Sequence, residues 1–294
     1  MTDLAPGTQH ISLDQWKTDA KAWWCPGCGD YGVLAALQKA LAATGLAPEE
    51  VVVVGGVGCS GRIGNWINTY GMHVTHGRAL PVAMGIKIAN PRLTVLAAGG
   101  DGDGFAIGMS HFIHACRRNL DVTYLVMDNE IYGLTKGQTS PTSARRAVTK
   151  STPEGNPEDK VAPAFLALAA GATFVAQGFS GNQAVLTGIV TQALRHRGFA
   201  FVNVFSPCVT YNKTGTYEYY RGALHRPKED LSPLATDRLD AMRLLQDNNH
   251  LLEGVLFQES SETLLDRIAP GRRQLSTIES PSRAQWSEVL ARYK

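Results

Sequence analysis

The sequence predicts a doubly wound α/β fold built on a mostly parallel sheet. Three observations carry this. Short apolar runs at 51–54, 93–97, 122–127, 173–176 and 201–205 have the length and the β-branched content of buried strands. Helical stretches alternate with them, which is the arrangement that links parallel neighbours through crossovers. Several runs end in glycine and polar residues, as at Gly99, Gly100, Asp128 and Asn129, so chemistry-bearing groups collect at one sheet edge.

In chain order, the first helix covers 32–44 and is apolar nearly all round, which calls for burial. Strand 51–54 is a run of four valines that passes into glycines. Strand 93–97 is joined to strand 122–127 by FAIGMSHFIHACRR, whose apolar residues recur at helical spacing, so a right-handed crossover is expected. Residues 151–160 hold prolines and a glycine and read as a loop. Helices at 164–170 and 182–195 flank strand 173–176, and strand 201–205 completes the series. Beyond 221 the chain becomes more polar, with Pro227 and Pro233, helical stretches at 236–247 and 281–292, and no chemical motif. The expected division is a binding domain over 1–220 and a C-terminal arm over 221–294 that packs on the core or on a partner subunit.

Composition narrows the class. The chain has 294 residues, 44% hydrophobic and 18% charged, with a net charge of +2. These values are ordinary for a soluble α/β protein, and no basic patch of nucleic-acid-binding size is present. No apolar run reaches the roughly 18 residues of a membrane span, and no charged leader precedes a hydrophobic segment. A cytoplasmic location is expected, with no membrane or nucleic-acid partner.

The first chemical signal is the pair GDGDGF (100–105) and DNEIYG (128–133). Asp101 would offer a carboxylate oxygen, Asn129 an amide oxygen and Ile131 its backbone carbonyl, a set of hard oxygens suited to Mg²⁺ with diphosphate and water on the remaining positions. Gly100 and Gly102, with Gly99 and Gly104, let the backbone approach a phosphate, and the following helix offers N–H groups to negative charge. Asp103 and Gly133 lie in the same two segments. Gly-Asp pairs also make plain tight turns, and for GDGD alone that reading stays open.

Five cysteines give the second signal. Cys25 and Cys28 form a C-x2-C hook in WCPGCGDYG, while Cys59 and Cys208 each follow a predicted strand, so four thiols could converge on one centre. A [4Fe-4S] cluster suits four such ligands; a four-cysteine zinc site and a thioredoxin-like pair are the competing readings. Cys116 lies on the apolar face of a helix and reads as core packing.

One motif points elsewhere and is set aside. Gly56 to Gly61 matches G-x-G-x-x-G directly after a strand, yet residues 51–100 contain no Asp or Glu to hold a ribose, so a dinucleotide is not expected. The same stretch carries Arg62, Arg78, Lys87 and Arg92, a local positive charge that suits anionic ligands. His76 and Arg78 sit in a predicted loop, HGRALP, as candidates for binding or proton transfer; an ordinary structural histidine fits as well. Lys136, Gln138, Thr139, Ser140 and Thr142 form either a recognition loop or a polar surface loop.

As a set, WCPGCGDYG, GVGCSGR, THGRALPVAMGIKIANP, GDGDGFAIG, DNEIYGLTKGQTSPT and SPC, in this order, resemble the beta subunits of 2-oxoacid:ferredoxin oxidoreductases, most of all the 2-oxoglutarate type. The resemblance covers about 24–220. It implies a thiamine diphosphate-binding fold of the diphosphate-binding half, with Asp101, Asn129 and the Ile131 carbonyl holding Mg²⁺ on thiamine diphosphate and Gly100, Gly102, Asp103, Gly133 and Cys59 around the cofactor. It implies a [4Fe-4S] cluster on Cys25, Cys28, Cys59 and Cys208. Arg62 stands where the family has a variable basic residue and becomes a candidate for the far carboxylate of 2-oxoglutarate; a solvated arginine fits too. The activity implied is oxidative decarboxylation of a 2-oxoacid with coenzyme A, giving succinyl-CoA and CO2 from 2-oxoglutarate, electrons passing to ferredoxin, and the reverse being CO2 fixation. Pyruvate, another 2-oxoacid, or a non-redox decarboxylase or carboligase are the alternatives. The pyrimidine-binding half with its activating glutamate is not found here, so the resemblance implies an alpha subunit and an α2β2 assembly.

Overall fold

The structure, a computed structural model, describes residues 11–226, 230–268 and 282–292. Its strands are β1 Val51–Gly55, β2 Tyr70–His73, β3 Thr94–Gly100, β4 Val122–Asp128, β5 Ile131–Tyr132, β6 Gln138–Thr139, β7 Phe174–Phe179, β8 Phe199–Phe205 and β9 Gly254–Gln258. Among the described residues one sheet has seven strands in the order β2-β1-β3-β4-β8-β7-β9, while β5 and β6 form a small separate hairpin. Every pair in the large sheet is parallel except β7 with β9. The fold is therefore α/β with a mostly parallel sheet, as the alternation of apolar runs and helices predicts.

The helices are α1 Asp30–Ala42, α2 Gly58–Gly61, α3 Ala79–Ala89, α4 Met109–Arg118, α5 Pro163–Ala169, α6 Gln183–Arg195, α7 Tyr217–Ala223, α8 Arg238–Asp247, α9 Leu264–Ile268 and α10 Arg283–Ala291. Successive side chains of a strand face opposite sides, and β1 shows the result. Val52 and Val54 enter one core with Phe112 of α4 and Phe201, and Val51 and Val53 enter the other with Leu37 of α1 and Ile189 of α6. Both faces of β1, β4, β7 and β8 are covered, which is why these strands read as unbroken apolar runs instead of alternating ones.

Register decides where the chemistry sits. Gly100 pairs with Met127, Asp128 with Phe205, and Gly55 with Ala98. The segments that leave the carboxyl ends of β1, β3, β4 and β8 begin side by side, bringing Cys59, Asp101, Asn129 and Cys208 to one rim although they are far apart in sequence. The crossover after β3 differs from the expected continuous α-helix: Asp103–Ile107 makes a π-helical turn before α4 begins. Such insertions are frequent at functional sites.

Two strands escape the sequence reading. β2 (YGMH) has all four residues exposed and no apolar pattern, and β9 lies within the segment expected to be an arm. Val255, Leu256 and Phe257 of β9 are buried in the same cores as the central strands, and α8 adds Ala241 and Leu245. Arg238 holds this region down by stacking on Phe257 at 4.8 Å and donating to the Ala172 carbonyl at 2.7 Å. The expected helix 236–247 is α8, and 281–292 corresponds to α10, with residue 281 outside the described residues.

One packing contact carries a prediction. Gly32 lies inside α1, where alanine ordinarily stabilises a helix by up to about 1 kcal/mol. Here an added Cβ would stand 2.2 Å from the Ser180 carbonyl oxygen, a backbone atom that cannot swing aside. The clash reverses the sign: Gly32→Ala should destabilise by about 1–3 kcal/mol, read as a lower urea midpoint at unchanged slope. A midpoint that rises would show that α1 does not pack this closely.

Candidate functional site

The polar residues at the rim surround a cleft of about 410 Å³, lined by Cys59, Ser60, His76, Gly100, Asp101, Gly102, Asp103, Asn129, Ile131, Tyr132 and Gly133 among others. Asp101 is 1% exposed. Its Oδ2 accepts from Thr142 Oγ1 at 2.7 Å, and its Oδ1 has a longer contact, 3.4 Å, from the Asn129 N–H. The Asn129 side-chain oxygen accepts from the Ile131 N–H at 3.1 Å, an Asx turn that brings the Asn129 amide and the Ile131 backbone to the same side. Behind them Asp128, also buried, accepts from Asn203 Nδ2 at 3.2 Å and lies 2.9 Å from Thr142 Oγ1, whose one proton is shared between the two carboxyl groups.

Electrostatics tests whether a cation fits. Burial, followed by the neighbouring Asp128 carboxylate, pushes Asp101 up to about 7, and burial followed by Asp128 pushes Glu130 to about 7. Burial raises Asp128 as well. Three acids crowd one strand end and Lys160, 3.6 Å from Glu130, is half-exposed. A concentration of carboxyl groups this costly is what a divalent cation would offset, and the donor set of carboxylate, amide and carbonyl oxygens is the one Mg²⁺ takes. The residues fit Mg²⁺ on a diphosphate.

The glycine segment meets the other requirement, close approach. An added Cβ at Gly102 would lie 2.3 Å from the Tyr132 ring, so only glycine lets that ring cover the loop and donate its OH to the Gly102 carbonyl at 3.1 Å. Asp103 plays a different part from Asp101. Its Oδ1 accepts from the Val57 N–H at 3.1 Å and the Gly77 N–H at 2.9 Å, tying together three loops at the cleft floor.

The candidate side chains for substrate are placed unequally. His76 lines the cleft, with Nε2 3.2 Å from the Gly102 carbonyl. Arg78 turns back on its own loop, donating to the His76 carbonyl at 3.3 Å, and is not among the cleft-lining residues. Arg62 stacks on the exposed Trp23 ring at 4.3 Å. Lys87, expected to add to the local positive charge, is instead buried, 2.6 Å from Asp121 and 2.8 Å from the Leu93 carbonyl, so its charge is paired inside the fold. Leu134, Thr135 and Gln138 line the cleft, whereas Ser140 and Thr142 are buried beneath it.

The four predicted cysteine ligands are free thiols. The Cys28 thiol is pushed up by burial and then by Asp30, with smaller contributions from Cys59 and Cys208. Cys59 rises to about 11 through burial, then Asp30, with Cys208 and Cys25 also contributing and Arg62 opposing. Cys59 thus lies within electrostatic range of Cys25, Cys28 and Cys208. Cys59 lines the cleft itself, and a methyl on Gly133 would lie 3.5 Å from Cys208 Sγ and 4.0 Å from Cys59 Sγ, so these two thiols adjoin the Gly133 edge of the cleft. Among the described residues no three acidic, histidine or cysteine side chains already close on a common point. Four free thiols on neighbouring segments, with Cys28, Cys59 and Cys208 partly buried, are the donor type that fits an iron–sulfur cluster. Cys116 is fully buried in α4, in the core as expected.

Several contributors went unnoticed in the sequence. Trp24 donates its indole N–H to the Cys59 carbonyl at 2.9 Å, and Ser206 donates to the buried Asp30 carboxyl at 2.7 Å. Asn212 donates to the Asn129 carbonyl at 2.9 Å while its backbone N–H donates to the Cys208 carbonyl at 3.0 Å, joining the segments after β4 and β8.

Comparison with known proteins assigns the class first. Residues 56–204 match the model of the C-terminal thiamine pyrophosphate-binding domain of thiamine pyrophosphate enzymes, and 208–272 match the C-terminal part of the pyruvate ferredoxin oxidoreductase beta subunit. Subunit beta of 2-oxoacid:ferredoxin oxidoreductase 1 from Aeropyrum pernix is 48% identical over 76% of this chain and 70% of its own length. Subunit beta of oxidoreductase 2 from the same organism is 40% identical over 87% of each chain. The solved 2-oxoglutarate:ferredoxin oxidoreductase from Magnetococcus marinus, with 2-oxoglutarate, coenzyme A and succinyl-CoA bound, superposes with a TM-score of 0.89 over 98% of both chains at 38% identity. The chain belongs to the beta subunits of the 2-oxoacid:ferredoxin oxidoreductases. It is thus an oxidoreductase subunit with a thiamine diphosphate-binding domain, and a beta subunit works with a partner subunit. No helix among the described residues is long and apolar enough to cross a membrane.

Proposed function

We propose that this chain, with an alpha subunit in an α2β2 complex, catalyses oxidative decarboxylation of 2-oxoglutarate with coenzyme A, giving succinyl-CoA and CO2 and reducing ferredoxin. The observation that carries the proposal is the shared wall: Asp101 and Asn129 line the same cleft as Cys59 and Gly133, and Gly133 adjoins the Cys59 and Cys208 thiols. When bound, thiamine diphosphate supplies the electron sink that lets CO2 leave, and a [4Fe-4S] cluster supplies one-electron carriage towards ferredoxin. Asp101, Asn129 and the Ile131 carbonyl would hold Mg²⁺, and Cys25, Cys28, Cys59 and Cys208 would hold the cluster.

The chain's own groups have definable tasks. Gly100 and Gly102 admit the diphosphate to the backbone, and Asp103 fixes the loops that carry Val57 and Gly77 around it. His76, at the cleft wall, can hold or pass a proton at Nε2 or orient a substrate oxygen. Arg62, next to the Cys59 segment, would present its guanidinium to the distal carboxylate of 2-oxoglutarate, and Arg78 would add positive charge behind His76. Similarity to the M. marinus enzyme supports the 2-oxoglutarate assignment, while the match of 208–272 to a pyruvate enzyme model keeps pyruvate as the specific competitor.

Anaerobic co-expression with the cognate alpha subunit, followed by viologen reduction with each 2-oxoacid and coenzyme A, tests the reading. 2-Oxoglutarate should give the highest kcat/KM; clear preference for pyruvate would overturn the substrate, and a colourless, iron-free decarboxylase would overturn the redox function. Arg62→Ala should lower kcat/KM for 2-oxoglutarate about tenfold or more, in line with loss of a charge-assisted bond, while leaving pyruvate little changed. Unaltered selectivity would remove Arg62 from substrate recognition.

A further inference from the structure

Thr142 follows the hairpin of β5 and β6, 41 residues from Asp101 in sequence. Its hydroxyl lies between two buried carboxyl groups at the ends of adjacent strands, 2.7 Å from Asp101 Oδ2 and 2.9 Å from Asp128 Oδ1. Thr142 is 1% exposed, so solvent does not substitute for it. The oxygen it grips on Asp101 is the one turned away from Asn129, whereas Oδ1 has only the 3.4 Å contact. The hydroxyl therefore sets the plane of the carboxylate and leaves Oδ1 free to serve a cation. Ser140, 3.3 Å from Thr142 Oγ1, places a second hydroxyl of the same segment beside it. Ser143 fastens the segment again by donating to the Glu130 carbonyl at 2.6 Å.

The outer part of this segment reaches a different place. Leu134, Thr135 and Gln138 line the cleft, so a loop that bounds the substrate space is anchored, a few residues later, on the metal edge. We propose that Thr142 is a positioning residue that orients Asp101 towards Mg²⁺ and couples occupancy of the metal–diphosphate site to the placement of loop 134–143. The proposal rests on the assignment of Asp101 as a Mg²⁺ ligand. Supporting groups around metal ligands commonly change affinity by roughly 10–100-fold when removed. Valine has the shape of threonine without the hydroxyl, and serine restores the hydroxyl without the methyl.

The test uses the complete complex with its alpha subunit, purified without oxygen. Mg²⁺-dependent thiamine diphosphate binding is measured by calorimetry for the native protein, Thr142→Val, Thr142→Ser and Asp101→Asn, with hydrogen exchange of residues 134–143 read alongside. Thr142→Val should weaken binding about 10-fold or more and lose the protection that Mg²⁺ and thiamine diphosphate confer on the loop, with Thr142→Ser within about threefold of native. Native-like binding by Thr142→Val, or equal weakening by both Thr142 variants, would overturn the positioning role while Asp101→Asn still abolishes binding. Undiminished binding by Asp101→Asn would instead overturn the metal assignment itself.

Discussion

Asp101→Asn should lower turnover of the assembled enzyme by about 10³-fold, close to 4 kcal/mol of transition-state stabilisation at 1.36 kcal/mol per decade. The substitution keeps the side chain's shape and replaces the proposed anionic metal ligand by a neutral one just after β3. Folding would not account for the loss. Burial and the Asp128 carboxylate push Asp101 up to about 7, so without a cation the charge at this position is a burden on the fold. Removing it should leave the thermal midpoint of the metal-free chain unchanged or higher. Low activity together with an intact melt and absent Mg²⁺-dependent cofactor binding is the expected signature. Retained cofactor binding would mean that the metal is held elsewhere.

Cys208→Ala should cut ferredoxin or viologen reduction at least about 100-fold, because a cluster deprived of one of four thiolates is lost or assembled incompletely. Cys208 is the most distant of the four in sequence and reaches the group only because β8 lies beside β4, with Asp128 paired to Phe205. Iron content should fall in the variant while thiamine diphosphate binding persists, since Asp101 and Asn129 follow β3 and β4 while Cys208 follows β8. Cys116→Ala is the matched control: it removes a fully buried thiol from α4, costs about 1–2 kcal/mol as a small core cavity, and should keep its iron. Full iron in Cys208→Ala would show that the four thiols do not serve one centre.

What the sequence revealed follows from the physics of each element. The five central strands are covered on both faces, so their apolar runs stand out against any background. The edge strands do not: β2 is exposed and nearly featureless, and β9 owes its place to pairing with β7 and to the grip of Arg238, neither of which leaves a local pattern. The rim positions of Asp101 and Asn129 were legible because each directly follows an apolar strand run and lies in or beside a glycine-rich turn. Cys59 and Cys208 were legible as strand-end thiols, although their shared place at the Gly133 edge depends on strand order, which local sequence does not specify.

Side-chain direction was the harder part. Lys87 and Arg62 look alike in sequence, but one is buried against Asp121 and the other stacks on Trp23. Thr142 looks like one more polar loop residue until register carries it beneath the cleft, between Asp101 and Asp128. Asn212 likewise becomes visible only as a bridge between the Asn129 carbonyl and the Cys208 backbone.

The most direct measurement is anomalous diffraction from anaerobic crystals of the alpha–beta complex with Mg²⁺ and thiamine diphosphate, collected on both sides of the iron and zinc edges. A compact iron signal enclosed by Cys25, Cys28, Cys59 and Cys208, across the Gly133 wall from Mg²⁺ held at Asp101 and Asn129, is the result predicted here. Zinc in place of iron, or thiols too far apart to share one centre beside that metal, would contradict the account.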